Sequence, residues 1–96
     1  MKNKITDKLK KHLPEIKTRF KVKEIGIFGS QIRNEAKRKS DVDILIEFEE
    51  GGETFDNYMD LKFYLEDIFQ TKVDLVIKDT LREEIKEDIL SEVKYV

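Results

Sequence analysis

Two short groups of residues in this 96-residue chain have the types and spacing to do chemistry together. Gly29 and Ser30 follow one apolar run, and Asp41-Val42-Asp43 opens the next after ten intervening residues. A Gly-Ser turn that leads into a helix offers backbone N–H groups, a hydroxyl and the positive end of the helix dipole to a phosphate. Two carboxylates one residue apart on a strand leave the same face, with Cα atoms roughly 7 Å apart, and can hold a cation between them. The sequence therefore predicts the two halves of a metal-nucleotide site.

A third carboxylate, Asp74, lies inside an otherwise apolar run that reads as a strand. An unpaired buried charge is costly, so Asp74 must either face solvent or be compensated by a cation. If its strand lies beside the strand of Asp41 and Asp43, all three carboxylates can converge and bridge two cations about 3.5–4 Å apart. Mg²⁺ prefers such oxygen ligands and commonly shares them with substrate phosphate. We therefore expect Mg²⁺, as two ions, bound together with a nucleotide.

Arg33 is expected one turn into the helix that follows Ser30. Its guanidinium could reach a phosphate oxygen or brace the acidic cluster, and the sequence favours neither role. Taken singly, a Gly-Ser turn and an Asp-x-Asp pair are common, and Asp74 could be an edge-strand charge that discourages aggregation. The three features together, in this order and on these elements, carry the prediction of a site.

The elements that position these residues follow from the spacing of the apolar side chains. Pro14 is expected to separate two helices, because proline is tolerated in a first helical turn but not in a helix interior. Thr80-Leu81-Arg82-Glu83 has the form of a capping box for the last helix. The pattern predicts helices over residues 5–12, 14–19, 30–36, 55–69 and 81–93, and strands over residues 23–28, 41–47 and 72–77. This order indicates one α/β (α+β) domain over residues 1–96, with a small mixed sheet of about three strands flanked by helices.

Composition and charge limit the class of protein. The chain has no cysteine, which excludes a disulfide framework and a thiolate metal site. Its charged start lacks the apolar stretch of a signal peptide and no run reaches membrane-spanning length, so no membrane partner and a cytoplasmic location are expected. Residues 1–39 hold 13 Lys and Arg against 4 Asp and Glu, whereas residues 40–96 hold 6 against 17. Either these are two solvated faces, or the basic part attracts a triphosphate while the acidic part holds divalent cations.

Other residues that invite a functional role are better explained by packing. His12, the only histidine, lies near the apolar stripe of the first helix, so a packing or surface role is expected. Five aromatic residues fall on or beside one helical stripe and are therefore expected to belong to the core and not to a base-stacking platform. Nucleic acid is accordingly an unlikely partner. The five residues are Phe55, Tyr58, Phe63, Tyr64 and Phe69.

The order of the motifs resembles that of one known superfamily. Gly29-Ser30, ten residues and Asp41-Val42-Asp43 match the G-S-x10-D-x-D signature of the DNA polymerase β-like nucleotidyltransferases. The surrounding residues 27–33 and 40–48 resemble its minimal branch, the MNT or MntA-type antitoxins, and the resemblance covers nearly the whole chain. Asn34 departs from the pattern, since these proteins commonly have glycine after the arginine. The departure concerns the shape of that helix and leaves the acidic cluster intact.

This resemblance implies a nucleotidyltransferase fold in which Asp41, Asp43 and Asp74 are metal and catalytic carboxylates. Gly29 and Ser30 would contact the nucleotide phosphates. The implied reaction is attack of a hydroxyl on the α-phosphate of ATP, which leaves AMP on the acceptor and releases pyrophosphate. The implied partner is a HEPN-domain ribonuclease toxin, which MntA-type antitoxins silence by adding AMP to a tyrosine. A phenol with a pKa near 10 is a reasonable acceptor once a metal ion or Asp74 helps to remove its proton.

Two other functions remain open from the sequence. The chain could transfer a nucleotide to a small molecule such as an aminoglycoside, or it could be a non-catalytic antitoxin that masks its partner sterically. Once the elements are assigned, no residues remain for a lobe that would enclose a small substrate, which favours a macromolecular acceptor. An idle cluster of like charges would only destabilise the domain, which argues against a purely steric role.

Overall fold

The computed structural model describes residues 4–29 and 41–96 and shows a mixed sheet with helices packed against it. The strand order is β3-β2-β1-β4, in which β1 runs antiparallel to β2 and β4, and β2 runs parallel to β3. The predicted fold class is confirmed, although the described sheet has four strands and not about three. The predicted helix over residues 30–36 lies outside the described residues. The elements in chain order are α1 Lys4–Arg19, β1 Val22–Phe28, β2 Val42–Phe48, α2 Phe55–Phe69, β3 Val73–Ile77, a short 3-10 helix Lys78–Thr80, α3 Glu83–Glu92 and β4 Lys94–Tyr95.

The hydrophobic core lies between one face of the sheet and the helices α1 and α2. Alternate residues of each central strand point into it, because successive side chains of a strand leave opposite faces. In β2, Val42, Ile44 and Ile46 are buried on this face. Asp43, which lies between Val42 and Ile44 in the strand, points to the opposite face. The face that the helices leave uncovered therefore carries the acidic side chains.

Helix α1 is continuous through Pro14, so the prediction of two helices was wrong. Proline removes one backbone hydrogen bond from a helix interior and normally kinks or ends it. Here Leu9 and Ile16, on either side of the proline, are both fully buried in the same core. Burial of such side chains contributes about 1.5–3 kcal/mol each, which offsets the local cost of the proline.

The predicted capping box at Thr80 was also wrong. The Thr80 hydroxyl donates a hydrogen bond to the Ile77 carbonyl oxygen at 2.8 Å, and Lys78–Thr80 forms the short 3-10 helix. Helix α3 begins three residues after Thr80, at Glu83, with no side-chain cap on Arg82. The Thr80 hydroxyl is therefore hydrogen-bonded within the turn that follows β3, and it does not cap α3 as the sequence pattern predicts.

The expectation that all five aromatics of α2 are buried holds only in part. Phe69 is buried, and Tyr58 and Tyr64 pack against the core. Phe55 and Phe63 are exposed, with 77% and 57% of their surface accessible. None of the helices within the described ranges combines the length and the apolar content needed to cross a bilayer.

Tyr64 links α2 to α1 through a polar contact at the edge of the core. Its hydroxyl donates a hydrogen bond to Glu15 Oε1 at 2.7 Å and lies 3.3 Å from His12 Nδ1. The Arg19 guanidinium stacks over the Tyr64 ring and pairs with Glu15. His12 therefore sits against an aromatic ring between two helices, which agrees with the expected packing role.

The Tyr64 phenol is expected to lose its proton at a higher pH than an ordinary tyrosine does. Burial and the hydrogen bond to Glu15 raise the pKa of Tyr64 to about 12, from 10.0. Between these values the unfolded chain loses the phenol proton and the folded chain keeps it, so the free energy of unfolding falls as pH rises through that range. Tyrosinate absorbance of the wild type and of Tyr64→Phe, compared across this range, measures the effect. The variant should lack the absorbance that the wild type gains near pH 12; loss of absorbance gained near pH 10 instead would contradict the assignment.

Candidate active site

Asp43 and Asp74 lie side by side on the acidic face of the sheet. They are register partners in the parallel pair of β2 and β3, so both side chains leave the same face from neighbouring positions. The Val42 N–H donates a hydrogen bond to the Lys72 carbonyl oxygen at 3.0 Å, which fixes this register at the start of both strands. The structure thus meets the condition that the sequence left open, since the strand of Asp74 lies beside the strand of Asp43.

Asp41 precedes β2 and is exposed. It lies two residues before Asp43, where strand alternation would direct it to the same face. Within residues 4–29 and 41–96, however, no three acidic or histidine side chains come close enough together to hold one metal ion. The structure thus brings Asp43 and Asp74 together and leaves Asp41 at the margin of the pair.

Two hydrogen bonds from α2 hold the strand that carries Asp74. The Val73 N–H donates to Glu66 Oε2 at 3.1 Å, and the Tyr58 hydroxyl donates to the Leu75 carbonyl oxygen at 2.6 Å. These backbone groups flank Asp74 on both sides. Burial, and secondly the charge of Asp74, raise the pKa of Tyr58, which keeps its hydroxyl a donor. Sequence reasoning missed both supporting residues, because they read as ordinary positions of an amphipathic helix.

Gly29 follows the last residue of β1 and lies directly beside Asp43. Its φ is +78°, and a Cβ added there would overlap the carboxylate of Asp43. The adjacent residue Phe28 is the register partner of Asp43 across the antiparallel pair. Only glycine can therefore occupy this position while the carboxylate keeps its place. Two other predicted site residues, Ser30 and Arg33, lie outside the described residues.

The Gly29 N–H donates a hydrogen bond to Glu92 Oε1 at 2.9 Å. Sequence reasoning offered this N–H to a phosphate and gave Glu92 no role. Glu92 stands at the end of α3, 63 positions along the chain from Gly29. No local pattern connects residues that far apart, so the sequence held no signal for the contact.

A second group of charged side chains lies on the same face of the sheet, at the end away from Asp43 and Asp74. Lys78 Nζ is 3.8 Å from a carboxylate oxygen of both Glu24 and Glu47, and it lies over the ring of Tyr95. Tyr95, followed by Glu47 and Glu24, raises the pKa of Lys78. These two carboxylates share Lys78 as an ion-pair partner and are separate from the pair of Asp43 and Asp74.

The residues around Asp43 and Asp74, near the start of β2 and β3, fit a magnesium ion. Asp43 and Asp74 supply hard carboxylate oxygens from adjacent positions, which is the ligand type that Mg²⁺ takes. The absent Cβ of Gly29 lets the Asp43 carboxylate lie directly against this turn, in space that the side chain of any other residue would fill. The site therefore offers two adjacent carboxylates and a glycine turn packed against one of them.

Known proteins are similar to this chain along nearly its whole length. The family model described as a nucleotidyltransferase domain matches residues 9–96. The protein adenylyltransferase MntA of Thermococcus cleftensis is 47% identical over 85 residues, which cover 88% of this chain and 85% of that protein. These lengths exclude a match confined to one motif.

Solved structures give the same result for the fold. One assigned as a minimal nucleotidyltransferase matches with a TM-score of 0.81 and 30% identity, covering 98% of this chain and 95% of that one. A complex of a tri-AMPylated HEPN toxin with an MNT antitoxin, from Shewanella oneidensis, matches with a TM-score of 0.59 and 22% identity, covering 97% of this chain and 66% of that one. The chain therefore belongs to the nucleotidyltransferase domain family and, within it, to the minimal nucleotidyltransferases of the MntA type.

Proposed function

We propose that this chain is a Mg²⁺-dependent protein adenylyltransferase that moves AMP from ATP to a tyrosine hydroxyl of a HEPN-type toxin and so neutralises it. The observation that carries the proposal is the pair of Asp43 and Asp74 with the glycine turn at Gly29 packed against Asp43. It is supported by 47% identity to a protein named protein adenylyltransferase MntA. The likeness to an antitoxin bound to an AMPylated toxin supports the choice of partner.

Each site residue has a role in this proposal. Asp43 and Asp74, with Asp41 at the margin, would hold Mg²⁺, which would neutralise charge on the phosphate oxygens. Gly29 leaves room for the Asp43 carboxylate, and Ser30 and Arg33 would contact the nucleotide phosphates, as the sequence predicts.

The transfer conserves atoms and charge through one displacement at phosphorus. The tyrosine oxygen would form a bond to the α-phosphorus while the bond from that phosphorus to the bridging oxygen breaks, so that pyrophosphate leaves. The proton of the phenol would pass to a nearby carboxylate, for which the solvent-exposed Asp74 is the best placed.

The first test is the intact mass of the partner. The protein is purified with whatever it binds in its native cells, ATP and Mg²⁺ are added, and the mass of the bound partner is recorded. A rise by whole AMP units, absent from the variant with both Asp41→Asn and Asp43→Asn, is the expected result. A bound partner whose mass never changes would favour steric masking, and release of pyrophosphate with a small molecule and no partner would favour the small-molecule reaction.

A further inference from the structure

The structure gives Gly29 a second carboxylate neighbour besides Asp43. Glu92, half-buried at the end of α3, accepts the Gly29 N–H at 2.9 Å. Gly29 itself is buried, so its peptide group has little access to water as an alternative partner. A hydrogen bond to a charged acceptor is roughly twice as strong as a neutral one, and it fixes the orientation of the peptide plane. Glu92 thereby fixes the direction in which the chain leaves β1.

The residues that follow Glu92 hold it against β1. Residues 92–96, here termed the closing segment, run along the outer edge of β1, where Lys94–Tyr95 forms β4 beside Gly26 and Ile27. The Val96 N–H donates to the Ile25 carbonyl oxygen at 3.0 Å. A Cβ added to Gly26 would lie 2.8 Å from Val93 Cγ2 and 3.0 Å from the Lys94 carbonyl oxygen, so the segment approaches the strand as closely as glycine permits.

We infer that Glu92 is a positioning residue for the proposed nucleotide site and acts through Gly29; this inference rests on the proposed function. The contact leaves Gly29 with its N–H held by Glu92 and its α-carbon against the Asp43 carboxylate. A glycine held on both sides keeps the Asp43 carboxylate beside it in one arrangement. Holding such groups in the productive geometry before substrate arrives is a main source of catalytic rate.

A competing role for Glu92 would have the opposite consequence. The carboxylate could occupy a donor that a phosphate oxygen would otherwise take, and ATP would then have to displace it. The closing segment argues against displacement, because it holds the backbone of Glu92 in place while Val93 lies against Gly26 and Val96 is bonded to Ile25. We therefore assign the Gly29 N–H to the scaffold of the native site and the phosphate contacts to other donors.

The test compares Glu92→Ala, Glu92→Gln and a control, Glu87→Ala, which removes an exposed carboxylate from the same helix. We expect Glu92→Ala to weaken binding of Mg²⁺-ATP, measured by calorimetry, by about tenfold or more, the loss of one charge-assisted hydrogen bond. Glu92→Gln keeps an acceptor oxygen at the same place and should recover binding to within about threefold of wild type. Glu87→Ala should bind as the wild type does.

A second measurement follows the contact without any nucleotide. The amide proton resonance of Gly29 in the isotope-labelled free protein should move upfield in Glu92→Ala and stay in place in Glu87→Ala, since a proton bonded to a carboxylate is strongly deshielded. An unmoved resonance would overturn the contact. Tighter binding of Mg²⁺-ATP by Glu92→Ala would establish competition in place of positioning, and an equal loss in Glu92→Gln and Glu92→Ala with equal falls in Tm would reduce Glu92 to a structural role.

The two proposals fail in different ways. If the wild type binds Mg²⁺-ATP but never adds AMP to a partner, the proposed function is refuted, while a loss of binding confined to Glu92→Ala would still support the positioning role. If the wild type transfers AMP and Glu92→Ala transfers it with the same KM for ATP and the same kcat, the proposed function stands and this inference is overturned.

Discussion

Replacement of Asp74 by asparagine is expected to slow AMP transfer at least about hundredfold while the protein stays folded. The substitution removes one of the two adjacent carboxylates that would hold Mg²⁺, and a bound metal is worth several kcal/mol of transition-state stabilisation. Asp74 is exposed and next to Asp43, and like charges at adjacent sheet positions destabilise a fold by about 0.2–1 kcal/mol. The free energy of unfolding should therefore stay the same or rise slightly. Transfer rates and urea denaturation of the two proteins provide both measurements.

Asp60→Asn is the matched control for this substitution. Asp60 is an exposed carboxylate on α2, so the change in charge is identical, but it lies on a helix and outside the sheet face that carries Asp74. Transfer by Asp60→Asn should equal that of the wild type. Transfer by Asp74→Asn within about threefold of the wild type would remove Asp74 from the site, and a large loss of stability would show that its charge supports the fold.

Replacement of Gly29 by alanine is expected to abolish transfer and to destabilise the protein. A non-glycine residue at a φ of +78° costs about 1–2 kcal/mol of strain, and the new Cβ would overlap the Asp43 carboxylate. Asp43 must then move away from its place beside Asp74, which disrupts the pair as well as the turn. Thermal unfolding and the transfer assay should both show the change.

Gly51→Ala separates the collision at Gly29 from the backbone strain. Gly51 has a φ of +84°, yet a Cβ added there would meet nothing nearer than Lys21 Nζ at 4.0 Å. This variant should lose a similar amount of stability from strain and keep full transfer activity. Equal activity losses in the two alanine variants would mean that stability alone limits transfer, and would contradict a specific role for the space at Gly29.

Much of the site could be predicted from sequence because it depends on local rules. Strand alternation alone places Asp43 on the face opposite Ile44, and the length of α2 allows the crossover that parallel strands require. The pairing of β2 with β3 and its register, which bring Asp74 next to Asp43, are seen only in the structure. Glycine at position 29 could be predicted as a turn, but the carboxylate that its missing Cβ accommodates belongs to another strand and appears only in the fold.

The features that could not be predicted depend on contacts between distant parts of the chain. Local propensity favours a break at Pro14, and only the common burial of Leu9 and Ile16 explains why the helix continues. A strand of two residues, β4, is too short to show any periodicity. The position of Glu92 beside Gly29 follows from the pairing of that strand with β1 and from nothing nearby in sequence.

The bond between Gly29 and Glu92 also bears on how the site forms and fails. It joins residues 63 positions apart, and it is held in place by a strand of only two exposed residues. Contacts that close long loops form late in folding, and short exposed strands open locally at a free energy below that of global unfolding. Amide hydrogen exchange should therefore be faster in β4 than in the central strands. On heating, the contact between Gly29 and Glu92 should break before the core unfolds, so activity should disappear while the domain is still largely native.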